Sequence, residues 1–451
     1  MLSAEDNELL THVGPGTPMG ALFRQYWIPV VYSEELEAGG RPYRVRLLGE
    51  DLVAFRDSTG APGLLAASCP HRGASLFFGR NEQAGLRCVY HGWKFDVTGA
   101  CIDMPNEPDS RGTACRAPTG KVNARAYPTR ERAGIVWAYF GPRSTPPPMP
   151  DLEWMLVPAE QHRHAWRAIR ECNWAQAMEG DLDTSHAPFL HGSIAVSTVS
   201  GAYRTSDKAP RLEIVETGSG VMYAARRDEG PDHYYWRTTQ FLMPFLTCFP
   251  ATLDGEIPCH MWVPVDDQYT MVWLESWHPL RPFTPEEHAG RSPRGPSSTE
   301  LYWPNNGAGE LNASEGARPY AGWWPSLNQS NDFGIDRDIQ RTQSFTGIPT
   351  VPLQDAAMTV SMGQIANRQT ERLGTADGMI IQVRRRLLRA ARALSEQGSD
   401  PPAVDRPELY QVRSASAVLR REVAWAEALG AWHAARSGLT PLDESSRFVS
   451  S

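Results

Sequence analysis

Apolar and polar positions alternate over several short stretches in the first third of the chain: YRVRLLGEDLVAFRD, GLLAASC, GLRCVYHGWKFD and GIVWAYFGP, all between residues 40 and 142. Successive side chains of a strand point to opposite faces, so this alternation, broken by Gly, Asp and Asn turn signals, predicts a small all-β sandwich. PRSTPPPMPDLEW follows, and its proline cluster, which suits neither helix nor sheet, reads as a connector. Beyond about residue 165 the pattern changes. ECNWAQAMEGDLDTSH has a helical composition that Pro188 breaks, whereas RLEIVETGSGVMYAARRD, HYYWRTTQFLMPFLTCFPA and HMWVPVDDQYTMVWLESWHPL alternate like strands of an antiparallel sheet. Residues 281–332 are rich in Pro, Gly, Ser and Asn and predict a long loop, placed as a lid over a site. Two Arg/Leu/Ala segments, 377–396 and 414–436, predict closing helices. The expected organisation is an N-terminal helical segment over 1–40 packed on the last domain, an all-β domain over 41–145, and a larger domain over 146–451. The fold class is α+β.

Length and charge narrow the chemistry. A chain of 451 residues has room for two or three domains. Its net charge of −8, with no basic block before QVRRRLLRAAR, argues against nucleic acid as a partner. The acidic start MLSAEDNELL lacks the pattern of a signal peptide, and no apolar run approaches the ~20 residues that span a bilayer. Seven scattered cysteines do not form a disulfide framework, so a reducing cytoplasm is the expected location.

Four of the metal-binding side chains fall into two half-sites, Cys69-x-His71 and Cys88-x-x-His91. Thiolates and imidazoles in this number suit a structural zinc or a Rieske [2Fe–2S] cluster, with two Cys on one iron and two His on the other. One Cys and one His on each arm of a hairpin favours the cluster, because zinc sites more often keep like ligands together. Gly73, Gly92 and Gly99 would let backbone N–H groups approach its sulfurs, Trp93 and Phe95 would shield it, and Tyr90 would donate a hydrogen bond that raises its potential. Cys101 and Cys115 fall outside the pattern and read as ordinary thiols. The second constellation is EGDLDTSHAPFLHG. On a continuous helix Glu179, Asp183 and His186 share a face, and Pro188 turns His191 toward His186. Two histidines and one carboxylate make the facial triad of non-haem Fe(II), which leaves positions open for dioxygen. Spacing alone does not choose the carboxylate among Asp336, Asp338, Asp355 and Asp377.

The loops CPHRGASLFFGRNE and RCVYHGWKFDVTG, with CNWAQAMEGDLDTSH, HYYWRTTQFLMP and QDAAMTVSMGQI, resemble the phthalate dioxygenase-type branch of the Rieske non-haem iron oxygenases over nearly the whole chain. The resemblance implies an all-β Rieske domain and a catalytic domain of helix-grip type, with an antiparallel sheet flanked by helices. It implies Asp355 as the third ligand of a mononuclear iron held with His186 and His191, and Cys69, His71, Cys88 and His91 as cluster ligands. It makes Asp183 a bridge between His186 and the cluster histidine, His91, of a neighbouring subunit. That in turn implies a homotrimer or two stacked trimers. A separate flavin/iron–sulfur reductase would supply electrons from NADH, since no Gly-rich dinucleotide fingerprint is present. The reaction implied is cis-dihydroxylation of an aromatic carboxylate such as phthalate. Alternatives in the same family are O- or N-demethylation and angular cleavage of aryl ethers; one of another class is a non-catalytic Rieske electron carrier. For the carboxylate, Arg211 and Arg237 are the expected cationic contacts. Asn173, Trp174, Phe189, Leu190, Phe245 and Trp262 are expected along the pocket wall, and His260 is read as a core residue in preference to a pocket one.

Overall fold

The computed structural model describes residues 1–107, 116–117, 120–192, 207–250, 256–290, 319–320, 322–435 and 447–448. Most of the expected lid over 281–332, and Cys115, lie outside the described residues. Two short helices, Ala4–Thr11 and Pro18–Phe23, open the chain. Ser3 and Thr17 cap them by accepting from the Asp6 and Gly20 amides, which would otherwise lack partners. Both pack against the long helix Gly378–Gln397, and Asp6 pairs with Arg392 of that helix.

The β domain begins earlier than residue 41. Strand Trp27–Tyr32 lies antiparallel to Ile135–Tyr139, and its six residues are all buried, which explains why WIPVVY is apolar throughout rather than alternating. One four-stranded sheet orders Ala126–Tyr127, Pro62–Ala66, Glu50–Arg56 and Tyr43–Leu47. A second orders Arg80–Glu82, Gly85–Arg87, Lys94–Phe95 and Cys101–Asp103. The two cysteine–histidine loops leave these sheets after Ala66 and after Arg87. They sit over a small core of their own, built from Val53, Phe55, Leu65, Leu76, Leu86 and Phe95.

The second domain is an antiparallel sheet ordered His162–Arg170, Thr270–Trp277, Ile257–Pro264, Leu246–Cys248, His233–Leu242, Gly220–Glu229, Arg211–Glu216. Helices Trp174–Leu182, Val351–Ser361 and Gly378–Gln397 pack together over it. Arg167 fastens the domains to each other: it is fully buried, pairs with Glu35 at 2.6 Å, and lies over the rings of Trp323, Trp273 and Tyr32. Among the described residues no helix is long and apolar enough to cross a membrane.

The C-terminal expectation over 414–436 needs correction. Ser416–Arg420 is a strand, and only Trp425–His433 is helical. The cause is tertiary. Gln240–Leu242 pair with Leu246–Cys248, but the first half of the same strand, His233–Arg237, takes its hydrogen-bonding neighbour from Ser416–Arg420. Filling that row of backbone donors and acceptors outweighs the helical preference of the segment.

His433 closes this region. It is buried, its ring bonds the Thr238 hydroxyl at 3.0 Å, and burial lowers its pKa to about 4. The unfolded chain, with an ordinary histidine near 6.5, therefore binds the proton first as pH falls. Stability contributed by the neutral ring is complete above about pH 6.5 and is lost on the way down to about pH 4, roughly 3 kcal/mol in all. Urea midpoints measured between pH 7 and pH 4.5 should fall less steeply for His433→Gln than for the parent.

Candidate active site

The two metal-ligand loops of the β domain are built alike. In the first, the Cys69 amide donates to Ala74 and the Gly73 amide returns to the Cys69 carbonyl at 2.9 Å; in the second, the Cys88 amide donates to Trp93 and the Gly92 amide to the Cys88 carbonyl at 2.9 Å. Each turn closes through a left-handed glycine, with φ of 75° at Gly73 and 80° at Gly92. At Gly92 a side chain would also strike Pro105, 2.7 Å from an added Cβ. Both thiols are buried within reach of each other, and burial pushes Cys69 up to about 11. The rings of His71 and His91 meet edge to face at 4.5 Å, and His71 stacks on Trp93 at 4.3 Å. His71 Nδ1 is buried without a hydrogen-bond partner. Two buried thiols beside two converging imidazoles, one with an orphaned nitrogen, fit a [2Fe–2S] cluster held by Cys69, Cys88, His71 and His91. Two supporting expectations change. Tyr90 is 56% exposed with its ring over His91 at 3.9 Å, and Gly99 packs against the Ala124 carbonyl rather than the loops.

In the second domain helix Trp174–Leu182 stops before Asp183, whose backbone turns extended (φ −92°, ψ 122°). The predicted shared helical face is therefore absent. Glu179 points away, held by Arg384 at 2.7 and 2.8 Å and by Arg368 at 3.2 Å. Burial works against its charge, yet those two guanidiniums keep the carboxyl below its usual range. Asp183 Oδ1 accepts from both the amide and the hydroxyl of Ser185, each at 2.6 Å, an aspartate turn that ends the helix and reverses the chain. A new helical turn, Ala187–Leu190, follows, with Pro188 in its first positions; the proline starts a helix here instead of breaking one. His186 precedes this turn and His191 follows it, so the two rings converge.

Helix Val351–Ser361 supplies the remaining groups from consecutive positions, Gln354 and Asp355. His186 Nε2 lies 3.2 Å from His191 Nε2 and 3.7 Å from Asp355 Oδ1, and His191 Nε2 is 3.3 Å from the same oxygen. The other ring nitrogens are committed: His186 Nδ1 to Asp183 Oδ2 at 3.3 Å and His191 Nδ1 to Gln354 Oε1 at 2.7 Å. A carboxylate and an amide oxygen only accept, so both Nδ1 atoms donate and both Nε2 atoms present lone pairs. Three acceptors then face one point, the arrangement of a cation site that holds iron through two imidazoles and one carboxylate. The field agrees. Burial disfavours a charged His186, but the bond to Asp183 and the charges of Asp355 and Asp183 raise its pKa above the usual range. Burial likewise opposes ionised Asp355, and the two histidines still hold it low. His162, His164 and Glu275 form another close group, in which both imidazoles reach Glu275 Oε2 at hydrogen-bond distances, 2.8 and 2.7 Å, while Glu275 Oε1 is buried without a hydrogen-bond partner.

The competing acids have other tasks: Asp336 caps helix Arg337–Thr342, Asp338 pairs with Arg341, and Asp377 accepts from the Gly374 amide. The triad lies between an inner cavity of about 270 Å³ against the sheet and an outer cleft of about 760 Å³. Asp183, His186 and Asp355 border both. Arg237 and Trp262 line the inner cavity, Phe189 and Leu190 the outer cleft. Arg211 is exposed on strand Arg211–Glu216, opposite Arg226, and is no part of these walls. Asn173 is fully buried as a helix cap, its amide donating to the Thr11 and Asp267 carbonyls, which rules out substrate contact. Trp174 and Phe245 pack on Phe23 in the core. Sequence reasoning missed Arg170 and Trp166 in the inner wall and the role of Gln354; His260, read as core in preference to pocket, is buried and also lines that wall. For Gln354 a signal existed, since it adjoins Asp355; for the rest, one residue on a strand looks like any other.

A family model described as Rieske [2Fe-2S] domain matches residues 26–122, and one described as LigXa C-terminal domain like matches residues 138–293 and 315–446. The 3-chlorobenzoate-3,4-dioxygenase oxygenase subunit of Comamonas testosteroni is 42% identical over 420 residues, covering 91% of this chain and 93% of that protein. The phthalate 4,5-dioxygenase oxygenase subunit of Pseudomonas putida is 37% identical over 440 residues, covering 94% of each. The crystal structure of dicamba monooxygenase bound to dicamba shares the fold at 16% identity, with a TM-score of 0.55 over 83% of this chain and 99% of that one.

Gln354→Leu removes the acceptor that sets the His191 tautomer and should weaken iron binding about 10- to 100-fold, read by iron retention during chelator dialysis. Gly92→Ala should cost the cluster instead, leaving protein without its visible absorption.

Proposed function

The chain belongs to the Rieske non-haem iron oxygenase family, as an α-type oxygenase component, and from that premise we propose that it adds dioxygen to the ring of an aromatic carboxylate. The observation that carries the reading is the convergence of His186, His191 and Asp355 on one point, in a chain whose other domain gathers two thiols and two imidazoles. Filled, these sites supply a one-electron store and a ferrous centre that activates dioxygen. The chain's own groups do the positioning. Asp183 and Gln354 keep protons on the two Nδ1 atoms, so both Nε2 lone pairs stay turned to the metal point. Arg237, half-buried on the cavity wall, supplies a planar cation to a ring carboxylate, and its charge is felt at His186. Trp166, Trp262 and Leu274 give the aromatic ring an apolar wall to lie on.

As an oxygenase component, the chain works with a separate electron-supplying protein. We assign that role to a flavin/iron–sulfur reductase oxidising NADH. We also assign the chain to a head-to-tail trimer or two stacked trimers, in which the cluster loops of one subunit meet Asp183 of the next. Exposed apolar side chains support this. Phe78, Val89, Tyr90 and Ile102 lie at the cluster end, and Phe345, Met358 and Met362 beside the outer cleft. These are two different surfaces, as a heterologous interface closing on a three-fold requires.

Purified holoprotein should contain about three iron atoms per chain, two in the cluster and one mononuclear. Asp355→Ala should hold about two and keep the visible spectrum while losing turnover of benzoates and phthalates. Asp183→Asn should keep all the iron yet leave its reduced cluster largely unoxidised and form little product in single turnover; cluster oxidation and product yield equal to the parent's would sink the bridging role.

A further inference from the structure

Away from the two centres described above, three more metal-type donors meet on the far face of the catalytic sheet. In HRH, residues 162–164, alternate side chains of strand His162–Arg170 point the same way, so the two imidazoles share a face. Glu275, on the neighbouring strand, is the register partner of His164. The register then shifts, and Trp166 pairs with Leu274, the residue beside Glu275. Such a bulge re-aims the side chains on either side of it. Trp166 and Leu274 line the inner cavity, whereas His162, His164 and Glu275 turn to the opposite face, away from the mononuclear centre.

The trio sits at the seam between the domains. Glu275 is fully buried, His162 nearly so, and His164 is about a quarter exposed. Trp154 stacks on His162 at 5.1 Å, and Tyr32, from the β domain, packs on His164 at 4.4 Å. Gly134 (φ 71°) leaves room for the far side of the His164 ring: an added Cβ there would lie 2.6 Å from Nε2. Hydrogen bonding alone leaves the group unbalanced. Both rings address one oxygen, Glu275 Oε2, at 2.8 Å from His162 Nε2 and 2.7 Å from His164 Nδ1. A carboxylate carries lone pairs on both oxygens, yet Oε1 is buried without a partner, as is the Tyr32 hydroxyl. Burial opposes the Glu275 charge, but the two histidines hold its pKa below the usual range, so a buried anion faces two imidazoles.

We propose that His162, His164 and Glu275 form a third metal site, which takes a zinc ion in place of the protons that the rings share with Glu275. The inference does not depend on the reaction proposed for the chain. His162 Nε2, His164 Nδ1 and the two carboxylate oxygens make four donors, the number that a structural zinc takes. Imidazole nitrogen and carboxylate oxygen both suit this ion. Oε1 gains the partner it lacks, and a buried carboxylate gains a full counter-charge. Zinc bonds of about 2.0–2.2 Å set each ring nitrogen roughly 3.3 Å from a carboxylate oxygen, so the rings draw back by about half an ångström as the protons leave. The ion pins the edge strand His162–Arg170 to Thr270–Trp277 beneath the β domain. Its role is structural, since the four donors leave no position for a substrate.

The test is zinc uptake by purified holoprotein and by Asp355→Ala, which loses the mononuclear site and keeps the cluster. After incubation with zinc sulfate and desalting, each should carry about one zinc per chain besides its iron, with the cluster spectrum unchanged. Zinc should also raise the melting temperature of both, because the unfolded chain does not assemble the site. His162→Gln and Glu275→Gln each keep a hydrogen-bonding side chain but remove a ligand or its charge. They should raise the apparent zinc dissociation constant at least about tenfold and lose the melting shift, with parent-like iron content and cluster spectrum reporting that they have folded. If Glu275→Gln does not fold, His162→Gln decides. Protein that takes up no zinc overturns the proposal, as does binding of parental affinity in His162→Gln. Uptake by the parent but not by Asp355→Ala places the zinc at the mononuclear centre and overturns it too.

Discussion

Three electron-rich atoms, two imidazole nitrogens and a carboxylate oxygen, stand within 3.7 Å of one another. Acceptors repel at that distance unless a cation lies among them, so the surrounding structure has to force them together. It does so by spending the opposite nitrogen of each ring: Asp183 holds one and Gln354 the other. Both of those groups are anchored in turn, Asp183 by the Ser185 amide and hydroxyl, Gln354 by donating to the Ile348 carbonyl at 2.9 Å. The ending of helix Trp174–Leu182, the restart at Ala187 and the placement of helix Val351–Ser361 all follow from this requirement.

The same helix end serves two directions. Asp181 turns to the sheet and fixes His260, while Asp183 turns to the metal point. Glu179, one turn earlier, is tied to Arg384 and Arg368 and fixes the helix against the long C-terminal helix. Three acids within five residues thus hold the helix, the cavity wall and His186 in one rigid register, the precision that positioned chemistry demands.

Much of the local chemistry was legible because it is local. Cys69-x-His71 and Cys88-x-x-His91 each lie in one turn, and a turn's residues stay together whatever the rest of the chain does. The left-handed glycines at 73 and 92 follow from the same short-range geometry. The errors were of two kinds, one local and the others set by distant partners. Asp183 was placed on a continuous helix because periodicity does not reveal an aspartate turn that captures Ser185. The segment after residue 414 read as helix because its composition says nothing about the strand neighbour that His233–Arg237 requires. Asn173 and Arg211 were put in the pocket because burial and strand face depend on partners far away in sequence.

By itself, then, the amino-acid order determined the two half-sites of the cluster, the His186–His191 pair, the alternation of the sheets and the class of metal each donor set attracts. Those depend on residue type and spacing over a few positions. Tertiary structure decided that Gln354 orients His191, that Arg237 and not Arg211 faces the cavity, and that His260 joins Asp181 in its wall. Each of those pairs residues brought together by sheet register or helix packing, and a contact between distant segments is set by the whole fold rather than by the neighbours of either residue.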